Sequence, residues 1–178
     1  LKAGASHFTD LDSDGDLDLI ITGWDKIEGR LITLLLENEP LGTFYPFENT
    51  LDFAVAHGTI DAIDYNLDGF QDFLIAGADS VTNYAGKVHS LSAKIFLNNQ
   101  DGSFSVAQEI PGARSARFVD VNLDGIPDLV ASGTIEIGND SSTFSHFYIN
   151  TTTGTSNSPQ PPNACLLYTS PSPRDRLL

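Results

Sequence analysis

Asp10-Leu-Asp12-Ser-Asp14-Gly15-Asp16-Leu-Asp18 is one of three near-copies of a nine-residue stretch, with Asp64-Tyr-Asn66-Leu-Asp68-Gly69-Phe70-Gln-Asp72 and Asp120-Val-Asn122-Leu-Asp124-Gly125-Ile126-Pro-Asp128. All three fit D-x-[DN]-x-D-G-x-x-D. Oxygens at positions one, three and five of a tight loop converge on one point while the intervening side chains face away. Glycine at position six permits the positive φ that reverses the chain. A hard cation is the natural occupant. Calcium takes roughly six to eight oxygens, and four side chains plus the carbonyl of position seven (Asp16, Phe70, Ile126) supply most of them. Without a cation, two carboxylates ~4 Å apart repel by about 4 kcal/mol at an effective dielectric of ~20. The loops are therefore expected to order on binding metal.

An EF-hand would need a bidentate Glu at position twelve and a helix on each side. Position twelve here is Ile21, Ile75 and Ala131. Each loop instead leads into a short apolar run, Asp18-Leu-Ile-Ile-Thr-Gly23, Asp72-Phe-Leu-Ile-Ala-Gly77 and Asp128-Leu-Val-Ala-Ser-Gly133, which reads as a strand.

The loops recur at intervals of 54 and 56 residues, and a second landmark keeps step: Asn38 with Gly42, Asn98 with Gly102 and Asn150 with Gly154. Each unit then reads as four strands joined by hairpins. The first has strands near 3–9, 17–22, 30–37 and from 43; the second near 57–63, 72–76, 90–97 and 103–110; the third near 114–119, 128–132 and 143–149, with no fourth. Such a unit cannot bury both faces of its sheet alone, so neighbours must stack on it. The expected fold is all-β: a β-propeller fragment of about two and a half four-stranded antiparallel blades with calcium-binding hairpin loops. Residues 1–52 form blade one, 53–111 blade two and 112–155 a truncated blade three. The Ser- and Pro-rich residues 156–164 read as a linker.

Cys165-Leu-Leu-Tyr-Thr-Ser-Pro-Ser-Pro-Arg-Asp175 resembles one reading frame of a transposase-type sequencing adapter, so residues 165–178 are expected not to be native and to stand outside the fold. The lone cysteine falls there, leaving no disulfide framework or thiol chemistry in the rest. The net charge of −15 becomes −16 without that segment, and eleven of the 24 acidic residues sit in the three loops. A chain this acidic, without a basic stripe, is a poor partner for nucleic acid or an anionic membrane. There is no methionine, and any signal peptide or anchor is expected outside these residues.

The loop, its apolar strand and the following N-x-x-x-G-[ST]-F resemble the FG-GAP and VCBS repeats of integrin α-subunit-like propellers, over residues 3 to 155. VCBS is the closer likeness, because Phe-Gly and Gly-Ala-Pro are absent from the places integrins have them. The resemblance implies calcium in the hairpin between the first two strands of each blade, on the rim opposite the usual ligand face. About three Ca2+ sites follow: Asp10, Asp12, Asp14, Asp16 and Asp18; Asp64, Asn66, Asp68, Phe70 and Asp72; Asp120, Asn122, Asp124, Ile126 and Asp128.

The segments Gly23-Trp-Asp-Lys-Ile-Glu-Gly29, Gly77-Ala-Asp-Ser-Val-Thr-Asn-Tyr-Ala-Gly86 and Gly133-Thr-Ile-Glu-Ile-Gly-Asn-Asp-Ser141 read as loops on the opposite face, where Trp24 and Tyr84 could anchor a protein or sugar. Asn139-Asp-Ser and Asn150-Thr-Thr are glycosylation sequons, which favour an extracellular or cell-surface setting. His7, His57, His89 and His146 occupy different offsets and form no zinc-like or triad-like set, and no G-x-S-x-G, Walker or Rossmann glycine motif is present. The expected function is a calcium-binding adhesion or protein/carbohydrate-interaction module that is not itself an enzyme. The alternative is the non-catalytic propeller portion of a secreted, polysaccharide-degrading type of enzyme.

Overall fold

The apolar run after each loop becomes the second strand of a four-stranded antiparallel sheet in a computed structural model, which describes residues 1–39, 42–48, 51–81, 88–137, 140–151 and 164–167. The first sheet is β1 (Lys2–Thr9), β2 (Asp18–Asp25), β3 (Arg30–Glu39) and β4 (Thr43–Pro46), in that spatial order. The second is β5 (Ala56–Ile63), β6 (Asp72–Val81), β7 (Val88–Asn98) and β8 (Phe104–Pro111). The third is β9 (Ala113–Val119), β10 (Asp128–Ile137), β11 (Asp140–Tyr148) and β12 (Ala164–Leu167). Among the described residues there is no helix, so none long and apolar enough to cross a membrane. The three acidic loops close hairpins of one register: Thr9 pairs with Asp18, Ile63 with Asp72 and Val119 with Asp128.

The sheets stack as propeller-like blades, with β1 beside β5 and β5 beside β9. Between the second and third, Phe118 N–H donates to Asp61 Oδ2 (2.9 Å) and the Thr59 hydroxyl to the Ala116 carbonyl (3.3 Å). Strands buried on both faces should be apolar rather than alternating, and β6 is so over Phe73–Ala78. Its Phe73 and Ile75 face the first sheet, in a core with Ile20, Leu35, Val55 and Phe96, while Leu74 and Ala76 face the third, with Ile95, Leu129 and Ala131. Each large side chain so buried contributes about 1.5–3 kcal/mol, so the two inter-sheet layers hold the fold.

Two glycine pairs let first and second strands close up. A Cβ on Gly23 would stand 2.9 Å from the Gly4 Cα, and one on Gly77 would stand 2.8 Å from the Gly58 Cα. The strand register slips beside both pairs, between Lys2 and Ala5 and between Ala56 and Thr59. These glycines serve close approach rather than chain reversal, so the strands expected to stop near them run on. The segment read as the loop 23–29 begins as strand through Asp25, and a four-residue turn remains, closed by Gly29 N–H on the Asp25 carbonyl (2.9 Å). Trp24 consequently lies within β2, half-buried and opposite Lys2 and Leu31, rather than on a loop.

The third sheet also differs from expectation. Its fourth strand, β12, straddles Cys165 and pairs antiparallel with β11, with Leu167 opposite His146 and Leu166 opposite Phe147. The outer edge of β11 carries backbone groups needing partners, and the apolar Cys165-Leu166-Leu167 run supplies a strand to meet them.

Candidate metal centre

Each acidic loop is a lattice of side-chain oxygens receiving its own backbone N–H groups. In the first, Asp12 Oδ1 accepts from Asp14 (3.1 Å), Asp14 Oδ1 from Asp16 (3.0 Å) and Asp10 Oδ2 from Gly15 (3.2 Å). The second repeats it: Asn66 Oδ1 accepts from Asp68 (3.0 Å), Asp68 Oδ1 from Phe70 (3.0 Å) and Asp64 Oδ2 from Gly69 (2.8 Å). The third follows with Asn122 on Asp124 (3.1 Å), Asp124 on Ile126 (2.8 Å) and Asp120 on Gly125 (2.9 Å). Asx turns of this kind aim the odd-numbered side chains inward.

Position nine does something else. Asp18, Asp72 and Asp128 are all but fully buried. In every copy one oxygen accepts the N–H of the loop's second residue, Leu11, Tyr65 or Val121, at 2.7, 2.9 and 3.0 Å. The other accepts the N–H of the landmark asparagine at the end of the third strand, Asn38, Asn98 or Asn150, at 2.9, 2.8 and 2.8 Å. Position nine therefore pins the loop to its own sheet.

In the first loop, Asp10, Asp12 and Asp18 each present an oxygen such that all three lie within 4.8 Å of one another. In the same loop, Asp10 Oδ1 and Asp16 Oδ1 are sheltered from water with no hydrogen-bond partner. Sheltered, unpaired carboxylate oxygens are costly unless a cation meets them. The donor set, oxygen only and anionic, fits a hard divalent ion. Asp16, half-buried, thus adds a sheltered side-chain oxygen to the loop, which Phe70 and Ile126 have no carboxylate to supply.

The electrostatics agree. Shelter from water raises the Asp16 carboxyl above its ordinary range, and the charges of Asp14, Asp12 and Asp10 add to it. Burial raises Asp18, opposed by the N–H groups of Asn38 and Leu11. Burial pushes Asp72 up to about 6 against the N–H groups of Asn98 and Tyr65. On β3 beside the first loop, desolvation and then Asp12 raise Glu37. The Tyr65 hydroxyl is pushed up to about 12 by burial, with Asp128 and Asp72 adding to it.

The asparagines are the functional residues that sequence reasoning used only as a phase marker. Besides holding position nine, Asn98 donates from Nδ2 to the Leu11 carbonyl (2.7 Å), and Asn150 donates from Nδ2 to the Tyr65 carbonyl (3.0 Å). Each ties its own sheet to the acidic loop of the sheet before it. Their recurrence in phase with the loops was the available signal. For Asn150 this corrects the reading as a glycosylation site: the side chain is 2 % exposed and its amide nitrogen is engaged, so no glycan fits there. Tyr84 and Asn139 lie outside the described residues.

The sequence model of the FG-GAP-like repeat matches residues 64–131, from the first residue of the second loop through the third loop and into β10. The chain carries an FG-GAP-like repeat. No curated protein matches the chain. The matched FG-GAP-like segment contains two of the three acidic loops, one whole third strand with its landmark Asn98, and the β5–β9 side of the second inter-sheet contact is completed just ahead of it.

Proposed function

We propose that this chain is a calcium-stabilised β-propeller module that binds a protein or carbohydrate outside the cell, with the ions structural rather than signalling. The observation that carries it is the first loop, where three carboxylates converge and two sheltered oxygens lack partners. Asp10, Asp12, Asp14, Asp16 and Asp18 would hold one ion, and the corresponding residues of loops two and three the others. Because the loops sit in strand hairpins, the ion stiffens a turn rather than moving a lever. Partner binding falls to the far ends of the strands. A cleft of about 730 Å3 opens there between the first two sheets, lined by Glu28, Arg30, Thr33, Asp52, Phe53 and Asp79 among others. Its mix of charge, hydroxyl and one aromatic ring suits a polar ligand such as a glycan or an acidic-basic peptide.

Calorimetric titration with calcium should give three sites, falling by one in Asp14→Ala and by one in Asp68→Ala. At millimolar calcium and a dissociation constant of roughly 10⁻⁴ M each site adds about 1.4 kcal/mol, so EDTA should lower the melting temperature by several degrees. A melt indifferent to EDTA would overturn the metal reading.

A further inference from the structure

Asn98, only 5 % exposed, stands between two acidic loops and bonds to both. Its backbone N–H donates to Asp72 Oδ1 (2.8 Å) and its Nδ2 to the Gln71 carbonyl (3.3 Å), so positions eight and nine of loop two hold it. Its Oδ1 accepts from Gln100 N–H (2.9 Å), and Gln100 Nε2 reaches Asp68 Oδ2 (3.2 Å), which adds position five. The remaining bond leaves the sheet: Nδ2 donates to the Leu11 carbonyl of loop one (2.7 Å).

Leu11 is the residue through which that bond acts on loop one. Its N–H is held by Asp18 Oδ2 (2.7 Å) and its carbonyl by Asn98, so the peptide units on both sides of it are fixed. Those two units adjoin Asp10 and Asp12, which converge with Asp18. Peptide units are rigid planes, so turning either one swings a carboxylate out of that convergence. The same construction links the next pair of loops. There Asp72 Oδ2 accepts from Tyr65 N–H (2.9 Å), Asn150 Nδ2 donates to the Tyr65 carbonyl (3.0 Å), and Asn150 N–H donates to Asp128 Oδ1 (2.8 Å). An unbroken run of buried hydrogen bonds therefore leads from Asp128 through both asparagines to Asp18. Buried donors and acceptors have no water to turn to, so a shift at one member is passed to the next rather than absorbed by solvent.

We propose, resting on the calcium reading above, that Asn98 is a positioning residue by which loop two sets the calcium affinity of loop one, and that Asn150 does the same between loops three and two. Order in one loop fixes its asparagine, and the asparagine fixes the position-two peptide of the neighbouring loop. Binding at neighbouring loops is then mutually favourable, and by linkage the effect is equal in both directions. Loop one has most to gain, since the sheltered oxygens of Asp10 and Asp16 lack partners there.

The amides of Gly15, Gly69 and Gly125, each bonded within its own loop, let a calcium titration of the full chain be read loop by loop in nuclear magnetic resonance. Asp68→Ala abolishes the loop two site and should weaken loop one about fivefold, the lower end of couplings of this kind, although Asp68 lies on another sheet. In Asn98→Ala loop one is already weakened, and adding Asp68→Ala should change it no further. A through-space effect of the lost charge would instead persist. Gln100→Ala, at an exposed position whose backbone bond to Asn98 is kept, should itself weaken loop one and shrink the effect of Asp68→Ala, and it carries the cycle if Asn98→Ala does not fold. In chelator, exchange of the Leu11 amide should quicken severalfold in Asp68→Ala, and no further when Asp68→Ala is added to Asn98→Ala. A loop one affinity indifferent to Asp68→Ala, or an effect undiminished without Asn98, overturns the coupling. If no glycine signal moves with calcium, the calcium reading fails and the exchange experiment alone decides: a Leu11 amide indifferent to Asp68→Ala overturns the coupling too.

Discussion

The first acidic loop and the other two share one backbone frame and solve its electrostatics differently. Loop one carries five carboxylates where loops two and three carry three each. In the latter, the asparagine at position three turns its amide inward, Asn66 Nδ2 donating to Asp68 Oδ2 (3.0 Å) and Asn122 Nδ2 to Asp124 Oδ2 (2.9 Å). Loop two receives a further donor from outside, Gln100 Nε2 on Asp68 Oδ2 (3.2 Å). Asp12 has no proton to offer its neighbour, and among the described residues the sheltered carboxylate oxygens without partners are those of Asp10 and Asp16 in this same loop. Loops two and three partly neutralise themselves; on the proposed calcium reading, loop one would leave that task to the cation. The turn geometry is thus set by the spacing of the motif, and the proposed dependence on metal would be set by which of its side chains are amides.

The largest expected effect is one in which the difference between loops should vanish. Position nine is buried and doubly hydrogen-bonded in all three copies, so its role is common to them. Asp72→Ala would orphan the N–H groups of Tyr65 and Asn98, each costing about 1–3 kcal/mol when buried. A loss of about 3 kcal/mol or more is expected in urea unfolding, with calcium or with chelator, and Asp18→Ala should behave alike. If Asp72→Ala loses calcium binding and keeps its stability in chelator, position nine is a ligand first and the pinning role is wrong.

The next effect sharpens the contrast. Asp12→Asn converts loop one to the pattern of loops two and three, giving Asp14 an amide donor and removing one of five like charges. The chelated protein should melt higher, by one to a few °C for a chain of this size, while calcium binds loop one more weakly. Asn66→Asp should do the reverse in loop two, lowering the chelated melt and tightening the ion. Parallel shifts of both melts in either variant would show that charge count is not what separates the loops.

Much of this was legible in the chain because the repeat is written three times. The spacing of Asp10, Asp12, Asp14 and Asp18 dictated hairpin loops, and the uninterrupted Phe73-Leu74-Ile75 dictated a strand covered on both faces, which is where the structure puts it. Strand ends were less legible. Gly23 and Gly77 look like breakers in sequence, yet their role is to let Gly4 and Gly58 approach, a property of two strands that neither shows alone. The asparagine contacts were hidden for a similar reason: Asn98 and Leu11 are 87 residues apart, and only stacking brings them together. Asn150 was misread because a sequon records local sequence and says nothing about burial. The fourth strand β12 comes from a segment whose codons suggested another origin, and backbone pairing needs only an apolar extended run, whatever its source.

The smallest expected effect concerns position four, where the loops differ again. Ser13, Leu67 and Leu123 all have positive φ, at 65°, 61° and 62°. A side chain in that region costs roughly 1–2 kcal/mol relative to glycine, and glycine returns about 0.5–1 kcal/mol of that in backbone entropy. Leu67 and Leu123 are 41 % and 87 % exposed, so truncation gives up little burial, least of all at Leu123. Leu123→Gly should therefore stabilise by about 0.5–1 kcal/mol, read as a rise of one to a few °C in the melt, and Leu67→Gly by somewhat less. The gain should be the same with calcium and with chelator, since the strain belongs to the turn and not to the ion. A gain that appears only with calcium would mean that the turn relaxes out of positive φ when the ion is removed, and the frame shared by the three loops would then itself depend on metal.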